Sequence, residues 1–352
     1  MSGSYFLPHI DQMAGYAPGE QPKDGEFIKL NTNENPYPPS PRVFEAIRNQ
    51  LDGRLRLYPD PMGTELRDQA ATLFGLTPDH ILPGNGSDDA LTILARSFVG
   101  PGETAISATP SYILYKTLTD IQGARLVHVP FEANWSLDAE KFAAEARRTG
   151  AKLAFLANPN SPSGTVVPPA QVAHLARLLS CPLVVDEAYA DFAEAHCVDL
   201  VRTHANVIIT RTFSKGYGLA GLRIGYLVAQ PQVVAGFIKV KDSYNCDRLS
   251  LAGGAAALAD QPYLTETRSK ILDTRARLTA AAQSMGYQVP QSHANFIWCL
   301  GGPPATPTYE ALREQRILVR LMRYPGLEPA MRISVGTDAE IDRLIEVWRG
   351  LV

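Results

Sequence analysis

"SKGYGLAGLRIGY", Ser214 to Tyr226, is the stretch on which the fold turns. Gly216, Gly218 and Gly221 stand at the G-x-G-x-x-G spacing of a dinucleotide-binding loop. Such a loop follows a strand and opens a helix whose N-terminal amides hold a pyrophosphate. A strand does precede it, because "VIIT", Val207 to Thr210, is a short run of branched residues. Beyond the third glycine, however, only Leu222 stands before "RIGYLVA", which reads as a further strand closed by Pro231. No helix fits, so the nicotinamide reading fails and attention moves to Lys215. A lysine at a strand end among small and apolar neighbours is desolvated, which lowers its pKa toward roughly 7–8 and makes it a nucleophilic amine. With Ser214 beside it and Arg223 eight positions on, it suits covalent capture of an aldehyde cofactor that carries a phosphate.

Composition sets the frame. A chain of 352 residues is long enough for two domains. Its net charge of −3 and lack of basic runs argue against general attraction to nucleic acid or anionic membrane. No apolar run approaches the ~18 residues that cross a bilayer. "MSGSYFLPHIDQ" lacks the basic and apolar regions of a signal peptide. Cys181, Cys197, Cys246 and Cys299 are scattered, and the seven histidines form no H-E-x-x-H pair. Neither a disulfide framework nor a metal site is expected. These features together predict a reduced, cytoplasmic, enzyme-sized protein.

Residues 1–30 read as an N-terminal arm, and 31–50 as an extended segment joining a smaller domain. Prolines 36, 38, 39 and 41 exclude a helix until "RVFEAIRNQL" begins. From 51 to 239, strand-like and helix-like segments alternate, as in "HILPGNGSDDALTILARSFV" and "LAFLANPNSPSGTVVPPAQVAHLARLL". That alternation predicts an α/β domain with a mainly parallel sheet between helices. From 240 to 352 a long helical period precedes short strands ("NFIWCL", "MRISVG") and a final helix, the pattern of a smaller α+β domain.

Parallel sheets bind ligands at the carboxyl ends of their strands, and three such ends carry chemistry here. In "LPGNGSDDAL", glycines let the backbone approach a ligand, and Ser87 is a candidate N-cap for a helix starting near Asp88. Its free amides suit a phosphate. In "VVDEAY" Asp186 ends the apolar run, but no Gly-Lys dipeptide exists for a phosphate-loop nucleotidase. The third end carries Lys215. Together they describe pyridoxal phosphate, which needs a lysine for its aldehyde, a carboxylate for its ring nitrogen and a phosphate cup. Those roles fall to Lys215, Asp186, and Gly86, Ser87 and Asp88 with Ser214 and Arg223. Tyr112 of "TPSY" offers the ring a stacking platform.

The chain resembles the fold-type I pyridoxal phosphate-dependent aminotransferases, and within them the histidinol-phosphate aminotransferase family. The resemblance spans "YAPGEQ", "IKLNTNENPYPPSP", "LYPD", "GNGSDDAL", "TPSY", "NPNSPSG", "VVDEAY", "TFSKGYGLAGLRIGY" and "MRISVGT". It implies a large domain with a sheet of the seven-stranded type and a homodimer whose active sites are shared. It implies that Tyr58 reaches the cofactor phosphate from the neighbouring subunit and that Tyr16 closes the substrate pocket from that side. Tyr189 would bond the cofactor's phenolic oxygen, and Thr212, Ser214 and Arg223 its phosphate. Arg332 would anchor the substrate's anionic group, with Arg320 as a second positive contact. The implied reaction moves an amino group from histidinol phosphate to 2-oxoglutarate, with Lys215 shuttling the proton.

Two departures stand out. The family carries Asn directly before Pro-Thr-Gly, whereas this chain has Ser161 before "PSG" and Asn160 one place earlier. Asn160 is assigned the cofactor contact. "SYNCDRLS", Ser243 to Ser250, is less rich in asparagine than its counterparts, and Arg323 has no assigned role. An aromatic aminotransferase or a threonine-phosphate decarboxylase would share every cofactor residue. A transcription regulator on this fold would need a basic DNA-binding segment, and none precedes residue 30.

Overall fold

The computed structural model describes residues 4–15, 19–22 and 27–351. Its centre is a seven-stranded sheet built from β2 (Ile81–Gly84), β3 (Thr104–Thr109), β4 (Arg125–Pro130), β5 (Leu153–Ala157), β6 (Leu183–Asp186), β7 (Val207–Thr212) and β8 (Gly225–Val228). The spatial order is β2-β8-β7-β6-β5-β3-β4. Only β8 runs antiparallel to its neighbours. β5 to β8 are buried along their whole length, as strands covered on both faces by helices must be. β4 is the exception in texture. Its "RLVHVP" is largely exposed or half-buried at the sheet edge, and this polar-interrupted strand was not among the sequence expectations.

A second unit holds the three-stranded antiparallel sheet β11-β12-β9, made of β9 (Phe296–Cys299), β11 (Arg320–Met322) and β12 (Ala330–Ser334). A two-residue parallel ladder joins β1 (Ile28–Lys29) to β10 (Ile317–Leu318). The 24-residue helix Gln261–Ser284 and the terminal helix Asp338–Arg349 cover this unit. Thr337 and Glu340 close the start of the latter with a reciprocal capping box.

Packing moves the expected boundary at 240. The helix Arg248–Ala259 lies against helices Pro41–Arg48 and Thr64–Phe74. Its Ala255, Ala257 and Leu258 belong to the core of the large sheet. Conversely, Leu30 lies in the core of the small unit although it falls in the expected arm. The change of unit therefore falls near Asp260. Helical periodicity shows that an apolar face exists, but not which layer receives it.

Candidate active site

The carboxyl ends of β5, β6 and β7 open into a cavity of about 280 Å³ between the two units. At its floor, Asp186 is 4% exposed. Tyr115 donates to its Oδ2 at 2.8 Å and Thr210 to its Oδ1 at 3.1 Å. Burial dominates and pushes the carboxyl up to about 6, with the hydrogen bonds opposing and Asp88 adding to the rise. Lys215 lines the same cavity, half-buried, and its Nζ donates to the Thr32 carbonyl at 2.9 Å. Desolvation, then the positive charge of Arg332, brings its amine down to about 8. Glu34 pulls the other way. The lowering expected from the strand-end setting is present, and its cause is burial, as expected.

The phosphate cup has the anticipated residues with one change. The helix Ser87–Phe98 begins at Ser87 itself, its N-cap is Gly86 at φ 84°, and no side chain caps it. Ser87 is therefore the first helical residue and not the cap. A β-carbon on Gly225 would lie 2.7 Å from the Ser87 amide nitrogen, and one on Gly86 would lie 2.9 Å from Arg223 Nη2. Both glycines keep that corner open for a ligand. Thr212 donates to Ser214 Oγ at 3.0 Å, and Arg223 approaches Ser214 Oγ and Asp88 at 3.4 Å each. Uncapped helix amides, two hydroxyls and a guanidinium make a donor set suited to a phosphate dianion. Tyr112 lines the cavity, and its hydroxyl donates to Asp88 at 3.3 Å.

On the opposite wall, β11 and β12 place Arg320 and Arg332 as cross-strand partners, both at the cavity. Arg332 donates to Ser161 Oγ at 3.0 Å and to the Asn31 carbonyl at 3.1 Å. Its Nε is buried and has no acceptor among the described residues. A buried orphan donor is costly, and an anionic ligand supplies what it lacks. Tyr189 also faces the cavity and accepts a 2.9 Å bond from Asn33 Nδ2. Burial raises its hydroxyl pKa.

Asn160 and Tyr58 do not line this cavity, and Tyr58 is expected to serve the neighbouring subunit's site instead. Asn160 donates to the Pro110 carbonyl at 3.1 Å and to Ser163 at 2.9 Å, and accepts from Ser111 at 2.8 Å. Those bonds hold neighbouring loops together, and Ser161 faces the cavity in its stead. Tyr58 is 77% exposed, lies outside this cavity and stacks on Tyr244 at 4.3 Å. Tyr16 lies outside the described residues. Arg323 lines a neighbouring hollow with Glu20 and Tyr309.

The sequence reading missed the role of Asn31–Asn35. This segment supplies the acceptors for Arg332 and Lys215, and Asn33 reaches Tyr189. Asn35 donates to the Gly216 carbonyl at 2.8 Å. Asn33 sits at φ 56°, a left-handed conformation that asparagine tolerates better than most residues. The available signal was three asparagines on alternate positions, and the bonds of Asn33 to Tyr189 and of Asn35 to Gly216 are too distant in sequence to see. Tyr115, which orients Asp186, gave no signal beyond its place in a helix.

The family model for aminotransferase class I and II matches residues 25–347. A histidinol-phosphate aminotransferase from Rhodopirellula baltica is 51% identical, covering 96% of this chain and 93% of its own. Histidinol-phosphate aminotransferase 1 of Trichormus variabilis is 44% identical, with 99% of each chain covered. The crystal structure of a histidinol-phosphate aminotransferase from Sinorhizobium meliloti, in complex with pyridoxal-5'-phosphate, superimposes with a TM-score of 0.90 at 31% identity. That match covers 100% of this chain and 99% of the other. The chain belongs to the class I and II aminotransferases. Within that class its relatives place it in the histidinol-phosphate aminotransferase family.

Proposed function

We propose that the protein transfers the amino group of L-histidinol phosphate to 2-oxoglutarate, giving imidazole acetol phosphate and L-glutamate in histidine biosynthesis, with pyridoxal 5'-phosphate as cofactor. The carrying observation is that Lys215, Asp186 and the Arg320–Arg332 pair line one cavity with the open start of helix Ser87–Phe98. Lys215 would hold the cofactor aldehyde, Asp186 its ring nitrogen, and Ser87, Thr212, Ser214 and Arg223 its phosphate. Tyr112, Asp88 and Tyr189 surround the ring. When bound, pyridoxal phosphate supplies an aldehyde for the amine and a ring that takes up an electron pair.

The chain's own groups do the rest. With an amine near pKa 8, Lys215 is available as a neutral base close to neutral pH. Displaced from the cofactor by the substrate amine, it would take the proton from the carbon bearing that amine and hand it to the carbon that carried the cofactor's aldehyde oxygen. Asp186, buried and bonded by Tyr115 and Thr210, is held in one orientation and keeps a proton on the ring nitrogen. Arg332, with Arg320 beside it, accepts the phosphate of one substrate and the carboxylate of the other, since a guanidinium fork suits both.

The working unit is a homodimer in the cytoplasm, with Tyr58 and Tyr16 completing the partner's site. Leu51, Leu55, Leu57 and Tyr58 are all exposed within one short stretch, which supports a covered face there. All four cysteines are buried and unpaired, which fits a reducing compartment. The deciding assay offers L-histidinol phosphate, phenylalanine, tyrosine and threonine phosphate with 2-oxoglutarate, and scores glutamate and carbon dioxide. Fastest glutamate formation with histidinol phosphate is expected. Preference for phenylalanine or tyrosine, or release of carbon dioxide from threonine phosphate, overturns the reading.

A further inference from the structure

The cavity lining is divided by chemistry. Most of the large side chains in it are polar or charged and are occupied by the roles above, and Tyr112 and Tyr189 flank Asp186 and Asp88. Among the lining residues left without a role, the large ones are Ile113, Met322 and Tyr324, beside the small Ala157, Pro159, Ala188 and Ala220. Ile113 is 42% exposed despite its size. Tyr324 reaches from the small unit to the large one, its hydroxyl donating to the Ser111 carbonyl at 3.3 Å. Its ring packs edge-on to Trp298 at 6.3 Å, and Trp298 packs on Trp135 at 5.1 Å. The tyrosine is thus braced from behind.

β11 links this wall to the anion anchor. Side chains two apart on a strand share a face, and Arg320 and Met322 both line the cavity. Leu321 between them packs against the small unit's core. Two residues of strand span about 7 Å, a separation suited to an anionic group and a ring carried on one short chain.

We propose that Met322 and Tyr324, with Ile113, form the wall that receives the ring of the amino donor, and that the two-residue repeat of β11 sets its distance from the arginine anchor. The inference rests on the reading that one substrate carries both a ring and an anionic group. Glutamate has no ring, so it uses the anchor and leaves the wall unfilled. The wall selects for a ring-bearing donor while the arginines accept either anion. Because the Tyr324–Ser111 bond joins the two units, the wall is complete only when they are together.

Steady-state kinetics of the holoenzyme test this through one ratio: kcat/KM for the ring-bearing donor over kcat/KM for glutamate. Tyr324→Ala should lower the ratio about tenfold or more, mainly through KM of the ring donor. Met322→Ser should move it the same way, which guards against a folding defect peculiar to one variant. Tyr324→Phe, which keeps the ring and removes the bond to Ser111, should retain most of the ratio. A parallel loss for both substrates would mean that Tyr324 only holds the two units together, and an unchanged ratio would mean that the ring lies elsewhere. Either result overturns the wall. A wild type that accepts aromatic amino acids but not histidinol phosphate overturns the proposed substrate alone, and the ratio is then read with the aromatic donor. A wild type that accepts no ring-bearing donor overturns both.

Discussion

Asp191 occupies the space that a β-carbon on Gly216 would need: Oδ2 lies 2.4 Å from that position. The carboxylate is not free to yield. Arg211 holds its Oδ1 at 2.8 Å and Glu187 at 2.8 Å, and all three side chains are buried. Arg211 stands at the end of β7 and Glu187 directly follows Asp186, so this pair ties together the two strand ends that carry Lys215 and Asp186.

Gly216→Ala should therefore disturb the turn that carries Lys215. Overpacking against a fixed buried group costs about 1–3 kcal/mol, readable as a lower urea midpoint. Turnover should fall more than stability explains, because Lys215 is displaced. Wild-type kcat in a fully folded variant would contradict this.

Lys215 should show its altered amine directly. A neutral amine attacks an aldehyde, so in cofactor-free protein the rate of pyridoxal phosphate capture should rise with pH and level off above about 8, where an ordinary lysine is still charged. Glu34 favours the charged amine and Arg332 disfavours it. Glu34→Gln should move the midpoint to lower pH, and Arg332→Ala to higher pH. Borohydride reduction followed by peptide mass measurement should place the cofactor on residue 215, and Lys215→Ala should give no such adduct.

Asp186→Asn should retain pyridoxal phosphate and lose turnover by orders of magnitude, since an amide cannot keep the ring nitrogen protonated. Its stability offers a second readout. An acid raised from 3.8 to about 6 by burial stabilises the fold most when protonated, and its contribution falls as pH rises from 3.8 to about 6. At ~1.4 kcal/mol per unit the difference is about 3 kcal/mol. Cofactor-free Asp186→Asn should be at least as stable as wild type at pH 8, with the gap closing as pH drops toward 4, as followed by denaturation midpoints.

Arg332→Ala should impair both half-reactions by about 1.5–3 kcal/mol each, the worth of a charge-assisted hydrogen bond. Arg332→Lys should recover part, because a point charge does not reproduce the fork. Cofactor content should hold, since the phosphate is assigned to Arg223 and the Ser87 helix start. Single-turnover rates with histidinol phosphate and with glutamate check this, and damage to one alone would end the shared-anchor assignment.

Much of this site was legible in sequence because it is built locally. "GNGSDD", "VVDEAY" and "TFSKGYGLAGLR" each join a strand end to the residue it presents, and parallel strands bring those ends to one edge whatever lies between them. That logic brings Lys215, Asp186, Ser87 and Arg223 to one cavity. It failed one position away at Asn160, where the backbone turn aims Ser161 into the cavity and sends the amide to Pro110, Ser111 and Ser163.

What the sequence by itself determined was the alternating α/β order, the smaller C-terminal unit and the residue types at each strand end. These follow from periodicity and from turn chemistry within a few residues. Tertiary structure alone decided which layer holds the helix Arg248–Ala259, that Tyr115 braces Asp186, and that Thr32 stands opposite Lys215, 183 positions away. It also brought Tyr324 against Ser111. Such contacts join segments whose own patterns are satisfied without each other, so only the packing of the whole chain selects them.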